Sequence, residues 1–127
     1  MPQRPLSPHI QIYRPMLSTT MSILHRITGI GLALGMVGLV WWLNAAAISD
    51  SYFALVQGFF YGWFGRLILF AMSWALIHHM LGGLRHFVWD TGHGFALNTV
   101  EWLVRANLIG SIVLTLLLWI VGYGVRT

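Results

Sequence analysis

Hydrophobic residues run through this chain in long blocks, and the few charged positions mark where each block ends. Between Arg26 and Asp50 lie 23 residues without a formal charge, between Arg66 and Arg85 lie 18, and between Arg105 and Arg126 lie 20. A helix rises about 1.5 Å per residue, so roughly 20 apolar residues match a hydrocarbon layer about 30 Å thick. A membrane β-barrel would need many short segments of alternating polarity instead. The pattern therefore predicts an all-α membrane protein with three transmembrane helices, over residues about 21–48, 63–89 and 103–123 of a membrane domain spanning 21–127. Residues 1–20 form an arm ahead of it, in which Pro2, Pro5, Pro8 and Pro15 forbid a continuous helix. Ser18, Thr19 and Thr20 offer N-caps for the first helix, and Ser49-Asp50-Ser51 ends it. The aromatic-rich stretch from Tyr52 to Trp63 suits a connection at the membrane–water interface. Asp90-Thr91-Gly92-His93-Gly94 breaks the second helix, and Asn98 to Arg105 leads into the third.

Composition removes whole classes of function. Hydrophobic residues make up 57% of the 127 and charged residues 8%, with a mean hydropathy of +0.74, beyond what the surface of a water-soluble domain of this size tolerates. Connections this short leave no room for a soluble catalytic or nucleotide-binding domain. With no cysteine, the chain contributes no disulfide, thiolate metal site or iron–sulfur ligand, so any such cluster belongs to a partner. The net charge of +4 does not indicate nucleic acid, because the arginines stand singly at helix ends instead of sharing one face. They indicate topology. Arg4, Arg14, Arg26, Arg85 and Arg105 fall on one side and only Arg66 and Arg126 on the other, which predicts a cytoplasmic N-terminus and a C-terminus outside. No apolar core suited to a cleavable signal precedes the first span, which is expected to serve as an uncleaved anchor. Gly31 and Gly35 form a small-xxx-small pair that admits close approach of another helix.

Two groups of polar residues sit where the membrane makes them costly. In Ser22-Ile23-Leu24-His25-Arg26-Ile27-Thr28-Gly29, the residues Ser22, His25, Arg26 and Gly29 are spaced to share a helix face. Such a donor-rich patch can hydrogen-bond a quinone carbonyl, favour negative charge on a reduced quinone, or pair with a carboxylate such as a haem propionate; equally, Arg26 can simply snorkel to the interface. The second group is His78-His79-Met80-Leu81-Gly82-Gly83-Leu84-Arg85-His86, with His79, Gly83 and His86 on one stripe and His78, Gly82 and Arg85 on the next. A neutral imidazole facing a bundle interior serves either as a structural hydrogen-bonding group or as an axial ligand for haem iron. Glycines one turn along let a flat macrocycle approach the backbone, and Arg85 can meet its propionates. Adjacent helical side chains diverge by about 100°, so at most one of His78 and His79 reaches a given iron. His25, expected near the membrane boundary, matches the depth of His79 poorly, which implies a second ligand from a partner helix.

At these residues the sequence resembles the cytochrome b membrane-anchor subunits of succinate dehydrogenase. The resemblance rests on the arm from Arg4-Pro5-Leu6-Ser7-Pro8-His9 to Tyr13, on the motif from Ser22 to Gly29, and on His79 through Gly83-Leu84-Arg85-His86 to Trp89-Asp90. Their order along the chain is more specific than any one alone. It implies that His79 is the axial ligand of one haem b shared with a second small membrane-anchor subunit, whose histidine takes the opposite face. It implies that Ser22 and Arg26 bind ubiquinone, that His25 lies beside the haem propionates and the quinone pocket, and that Asp90 lies in a loop near that pocket. Gly83 and Arg85 join the haem-binding set. His78 departs from the family, and only the count back from Gly83-Leu84-Arg85-His86 favours His79. The implied partners are a flavoprotein subunit, which oxidises succinate, and an iron–sulfur subunit, which carries the electrons to this chain; the short arm, in which no transit peptide is read, favours a bacterial inner membrane as the place. Two other readings are a haem-free structural anchor and a small proton-coupled carrier, the latter opposed by the little room three spans give for alternating access.

Overall fold

The computed structural model describes Pro5 and residues 7–126. Pro2, Arg4, Leu6 and Thr127 lie outside the described residues. A one-turn helix, α1 (His9–Ile12), interrupts the proline-rich arm and ends where Tyr13 turns extended ahead of Pro15. Three long helices follow, α2 (Leu17–Ile48), α4 (Trp63–Asp90) and α5 (Leu97–Val125), and each is long and apolar enough to cross a membrane. A shorter helix, α3 (Asp50–Tyr61), joins the first two. The all-α expectation with three spans holds.

The differences lie at the helix ends. Helix α2 begins at Leu17, directly after the Pro15 constraint is relieved, with Met16 as an N-cap that lacks a side-chain acceptor; Ser18, Thr19 and Thr20 are inside the helix and do not cap it. Helix α5 begins at Leu97, ahead of the predicted apolar span. Glu101 and Arg105 pair across one turn at 3.5 Å, continuing the helix beyond its apolar window. The aromatic connection is itself helical. Ser49 has an extended backbone that breaks α2, and its hydroxyl then accepts from the Tyr52 N–H at 3.2 Å, capping α3, while Asp50 occupies the first turn where the helix dipole favours an anion. One residue thus ends one helix and starts the next. After α4, Gly92 and Gly94 take φ near +80°, a region open to glycine and costly for other residues, and the chain reverses there.

Helix α4 is the centre of the bundle, packed against α2 on one flank and α5 on the other, with α3 laid across α2 and α4 at one end. Its contact with α2 is close enough that a Cβ on Gly35 would collide with the Met72 side chain, whereas Gly31 faces open space. Burial is inverted relative to a water-soluble protein. Beside a few apolar residues such as Met21, Ala45 and Val104, the buried set includes Thr28, His78, Arg85, Asn107, Ser111 and Thr115, while most large apolar side chains of the spans face outward. That distribution is stable in hydrocarbon, where apolar surface has nothing to gain by hiding and polar groups must find partners inside.

Candidate functional site

The two adjacent histidines of α4 enter different interfaces. His78 turns toward α5 and is 1% exposed. The Ser111 hydroxyl donates to the Leu108 carbonyl at 2.8 Å, and His78 Nδ1 lies 3.2 Å from Ser111 Oγ and 3.3 Å from Asn107 Nδ2, bonding to one or the other according to its tautomer. Trp74 closes the ring in with a centroid separation of 5.1 Å. One turn further along α5, Thr115 returns its hydroxyl to the Ser111 carbonyl at 2.7 Å. This is a polar seam that locks α4 to α5, reinforced by the Trp119 indole N–H donating to Ser73 Oγ at 2.9 Å. A ring so enclosed has no face to offer a macrocycle.

His79 turns toward α2 and is only half-buried. Its Nδ1 lies 3.1 Å from the His25 carbonyl oxygen and 3.3 Å from Thr28 Oγ1. A carbonyl only accepts, so Nδ1 carries the hydrogen and the lone pair of the neutral ring resides on Nε2, which has no hydrogen-bond partner. A backbone acceptor holding one nitrogen so that the other is free is the arrangement that orients metal-ligating imidazoles. Thr28, buried and donating to the same His25 carbonyl at 2.9 Å, completes the clamp.

His25 lies flat on His79, with centroids 3.9 Å apart and planes within 5°. The expectation that His25 lies near the boundary, at a different depth, is corrected by this stack. Because α2 starts at Leu17, His25 is already about 12 Å along the helix axis. Glycines permit the contact: a Cβ on Gly82 would fall 2.5 Å from His25 Nδ1, and one on Gly29 would fall 3.1 Å from His79 Cε1. Gly83, by contrast, has nothing within 4 Å of a Cβ and leaves an open face beside His79.

Around the stacked pair are polar groups without partners. Arg85 is 5% exposed, and its Nε and Nη1 make no hydrogen bond, although its guanidinium lies 5.1 Å from the Trp89 ring centroid. His25 Nδ1 is buried and equally unpartnered. His86, exposed at the rim, has its ring 5.5 Å from that of His25 and 5.2 Å from that of Trp89. Unsatisfied buried polar groups cost about 1–3 kcal/mol each, more when charged; among the described residues the one other such atom is Asn107 Oδ1 on the α5 side, so most of the unanswered polarity lies at Arg85 and His25.

Of the residues singled out in the sequence, His25, His79, Gly83 and Arg85 converge here. Ser22 and Arg26 stand on the exposed flank of α2 one turn apart and make no side-chain bond, so the face expected to be shared by Ser22, His25, Arg26 and Gly29 is divided: His25 and Gly29 enter the α2–α4 contact while Ser22 and Arg26 remain open. Asp90 is the exposed last residue of α4. Sequence reasoning missed Thr28, Asn107, Ser111 and Thr115. The signal for the last three is the four-residue spacing of polar side chains through an otherwise apolar span.

Known proteins resemble this chain along nearly its whole length. The family model described as the succinate dehydrogenase/fumarate reductase transmembrane subunit matches residues 1–122. A succinate dehydrogenase cytochrome b556 subunit from Paracoccus denitrificans is 43% identical over 120 residues, covering 94% of this chain and 92% of the relative. One from Rickettsia conorii is 38% identical over 118 residues, covering 93% and 92%. A succinate dehydrogenase cytochrome b560 subunit from Marchantia polymorpha is 36% identical over 102 residues, covering 76% and 74%. Fold, motif order and similarity along nearly the whole length lead to one conclusion: the chain belongs to the succinate dehydrogenase/fumarate reductase transmembrane subunit family.

Proposed function

We propose that this chain is the cytochrome b anchor of a succinate dehydrogenase, holding one haem b through His79 and forming part of the ubiquinone-reduction site with Ser22 and Arg26. The observation that carries the reading is the pinned imidazole of His79, whose Nδ1 is held by the His25 carbonyl and Thr28 while Nε2 stays free. His78, one residue earlier, is enclosed by α5 and has no such freedom.

The residues present fit a haem. The unpartnered Nε and Nη1 donors of Arg85 match the carboxylate of a propionate, and the open face at Gly83 accepts a flat group against the backbone. When bound, haem supplies a one-electron store close to the quinone. His25 is not its second ligand, because two rings stacked face to face cannot both aim a nitrogen at an iron between them. That ligand comes from the second small anchor subunit, as a histidine. Arg26, at the same end of the bundle, donates to a quinone carbonyl and stabilises negative charge as electrons arrive, with Ser22 one turn away as a second hydrogen-bonding group. Both are exposed in this chain, so the remaining walls of the quinone pocket are supplied by the iron–sulfur subunit and the other anchor. The flavoprotein subunit oxidises succinate upstream. The assembly sits in a bacterial inner membrane with this chain's N-terminus cytoplasmic and its C-terminus periplasmic, as the arginine distribution favours.

Reduced-minus-oxidised spectra of the purified complex test the reading. The complex should show b-type haem absorption that His79→Ala abolishes and His78→Ala preserves. Loss with His78→Ala alone would transfer the ligand role, and a complex without haem absorption would leave the histidines as packing groups of a structural anchor.

A further inference from the structure

The end of the bundle remote from His79 carries a second, unrelated site. Helices α2, α3 and α4 enclose a recess of about 560 Å³, within the size range of ligand pockets. Its walls are apolar, with Gly38, Leu39, Ile68 and Met72 among them, and a Cβ on Gly38 would meet nothing within 4 Å. Directly beside it lies a cleft of about 280 Å³ whose lining shares Phe60, Tyr61 and Leu69 with the recess. This cleft contains Arg66 and Arg126, the two arginines that the sequence sets apart from the other five. Among the described residues the one ion pair is Glu101–Arg105, so neither cleft arginine has an acidic partner. Arg126 is nevertheless held in position, its guanidinium 4.9 Å from the Tyr61 ring centroid.

Polar groups at the junction are also ordered. Gln57 accepts from the Trp42 indole N–H at 3.2 Å and donates to the Tyr61 hydroxyl oxygen at 3.1 Å. Tyr61 therefore receives a hydrogen bond and keeps its own O–H to give.

We infer that the recess and the cleft together bind one anionic phospholipid of the leaflet on the α3 side, its acyl chain in the recess and its phosphate between Arg66 and Arg126. Charge complementarity favours this occupant over a helix of a partner subunit. An apolar helix would fill the recess and leave two arginines unpaired in its rim, whereas a lipid brings an anion and a chain already joined at the required junction. The Tyr61 O–H is available to an ester or phosphate oxygen at that point. The site is independent of the haem and quinone reading, since it shares no residue with it.

Native mass spectrometry of the intact complex, equilibrated with equimolar phosphatidylglycerol and phosphatidylcholine in mild detergent, tests the inference. Wild-type complex should retain phosphatidylglycerol preferentially. Arg66→Gln with Arg126→Gln should reduce that preference roughly 30-fold, and each alone about fivefold. Gly38→Leu, which fills the recess without meeting backbone, should lower retention of both lipids. The same spectra report subunit composition and so separate lipid loss from misassembly. Equal retention of the two lipids by the wild-type complex overturns the inference, as does an undiminished preference in the double variant or a density map with a partner helix seated in the recess.

Discussion

On the α5 side of α4, His78 is enclosed by Ser111, Asn107 and Trp74, and its Nδ1 is engaged. On the α2 side, His79 has one nitrogen clamped and the other free, and lies against His25, whose buried Nδ1 has no partner. The residues are adjacent, of one chemical type and at nearly the same depth. What separates them is enclosure: His78 is buried in the α4–α5 seam, while His79 is only half-buried and its Nε2 is open. In a membrane, where polar burial is costly, an imidazole enclosed between two helices ties them together, whereas one left partly open keeps a nitrogen for a group from outside the chain.

This contrast can be attacked from either side. The largest effect is expected from Arg26→Leu, on the open flank next to the α2–α4 contact. Succinate-dependent ubiquinone reduction by the complex should fall roughly 10- to 100-fold through loss of a charge-assisted hydrogen bond, while succinate oxidation by a soluble artificial acceptor stays largely intact. Equal loss in both assays would mean misassembly and remove Arg26 from the quinone site. A smaller effect is expected at the glycines. Gly82→Ala forces the His25 ring to shift, costing about 1–3 kcal/mol and lowering the melting temperature of the purified complex. Gly83→Ala meets no part of this chain, so it should lower haem content by obstructing the open face; full haem content would exclude the cofactor from that face. The smallest change is expected on the enclosed side. Ser111→Ala should cost about 0.6 kcal/mol, and at most about 1.7, in thermal unfolding of the complex, with haem absorption unchanged. A haem loss there would erase the distinction between the two faces.

The three spans were legible because charge-free length is a one-dimensional property: Arg26, Asp50, Arg66, Arg85, Arg105 and Arg126 delimit them without knowledge of packing. Helix ends were less legible. Glu101–Arg105 extends α5 through a side-chain pair, and Ser49 serves two helices at once, neither of which a hydropathy count contains. The aromatic stretch read as a connection is a helix for the same reason, since its cap is a single hydroxyl. Within the candidate site, the divergence of His78 and His79 followed from helical geometry, but the direction in which each points did not. That depends on the close α2–α4 approach permitted by Gly29 and Gly82, a pairing of residues far apart in sequence. Thr28 went unnoticed because a threonine in a helix is ordinarily satisfied by its own backbone, and only the folded bundle brings His79 within 3.3 Å of it.

The clasp between Ser73 and Trp119 has a consequence for how α4 tolerates change in length. It fixes the rotational phase of the helix at mid-membrane, one to two turns ahead of the histidines. Inserting a single residue between Ser73 and His78 would leave the clasp intact yet rotate everything beyond it by about 100°. Each imidazole would then be delivered to the wrong neighbour, with the composition of the span almost unchanged. Point substitutions leave that phase alone, so this segment is expected to diversify by exchange of residues and to resist insertions and deletions.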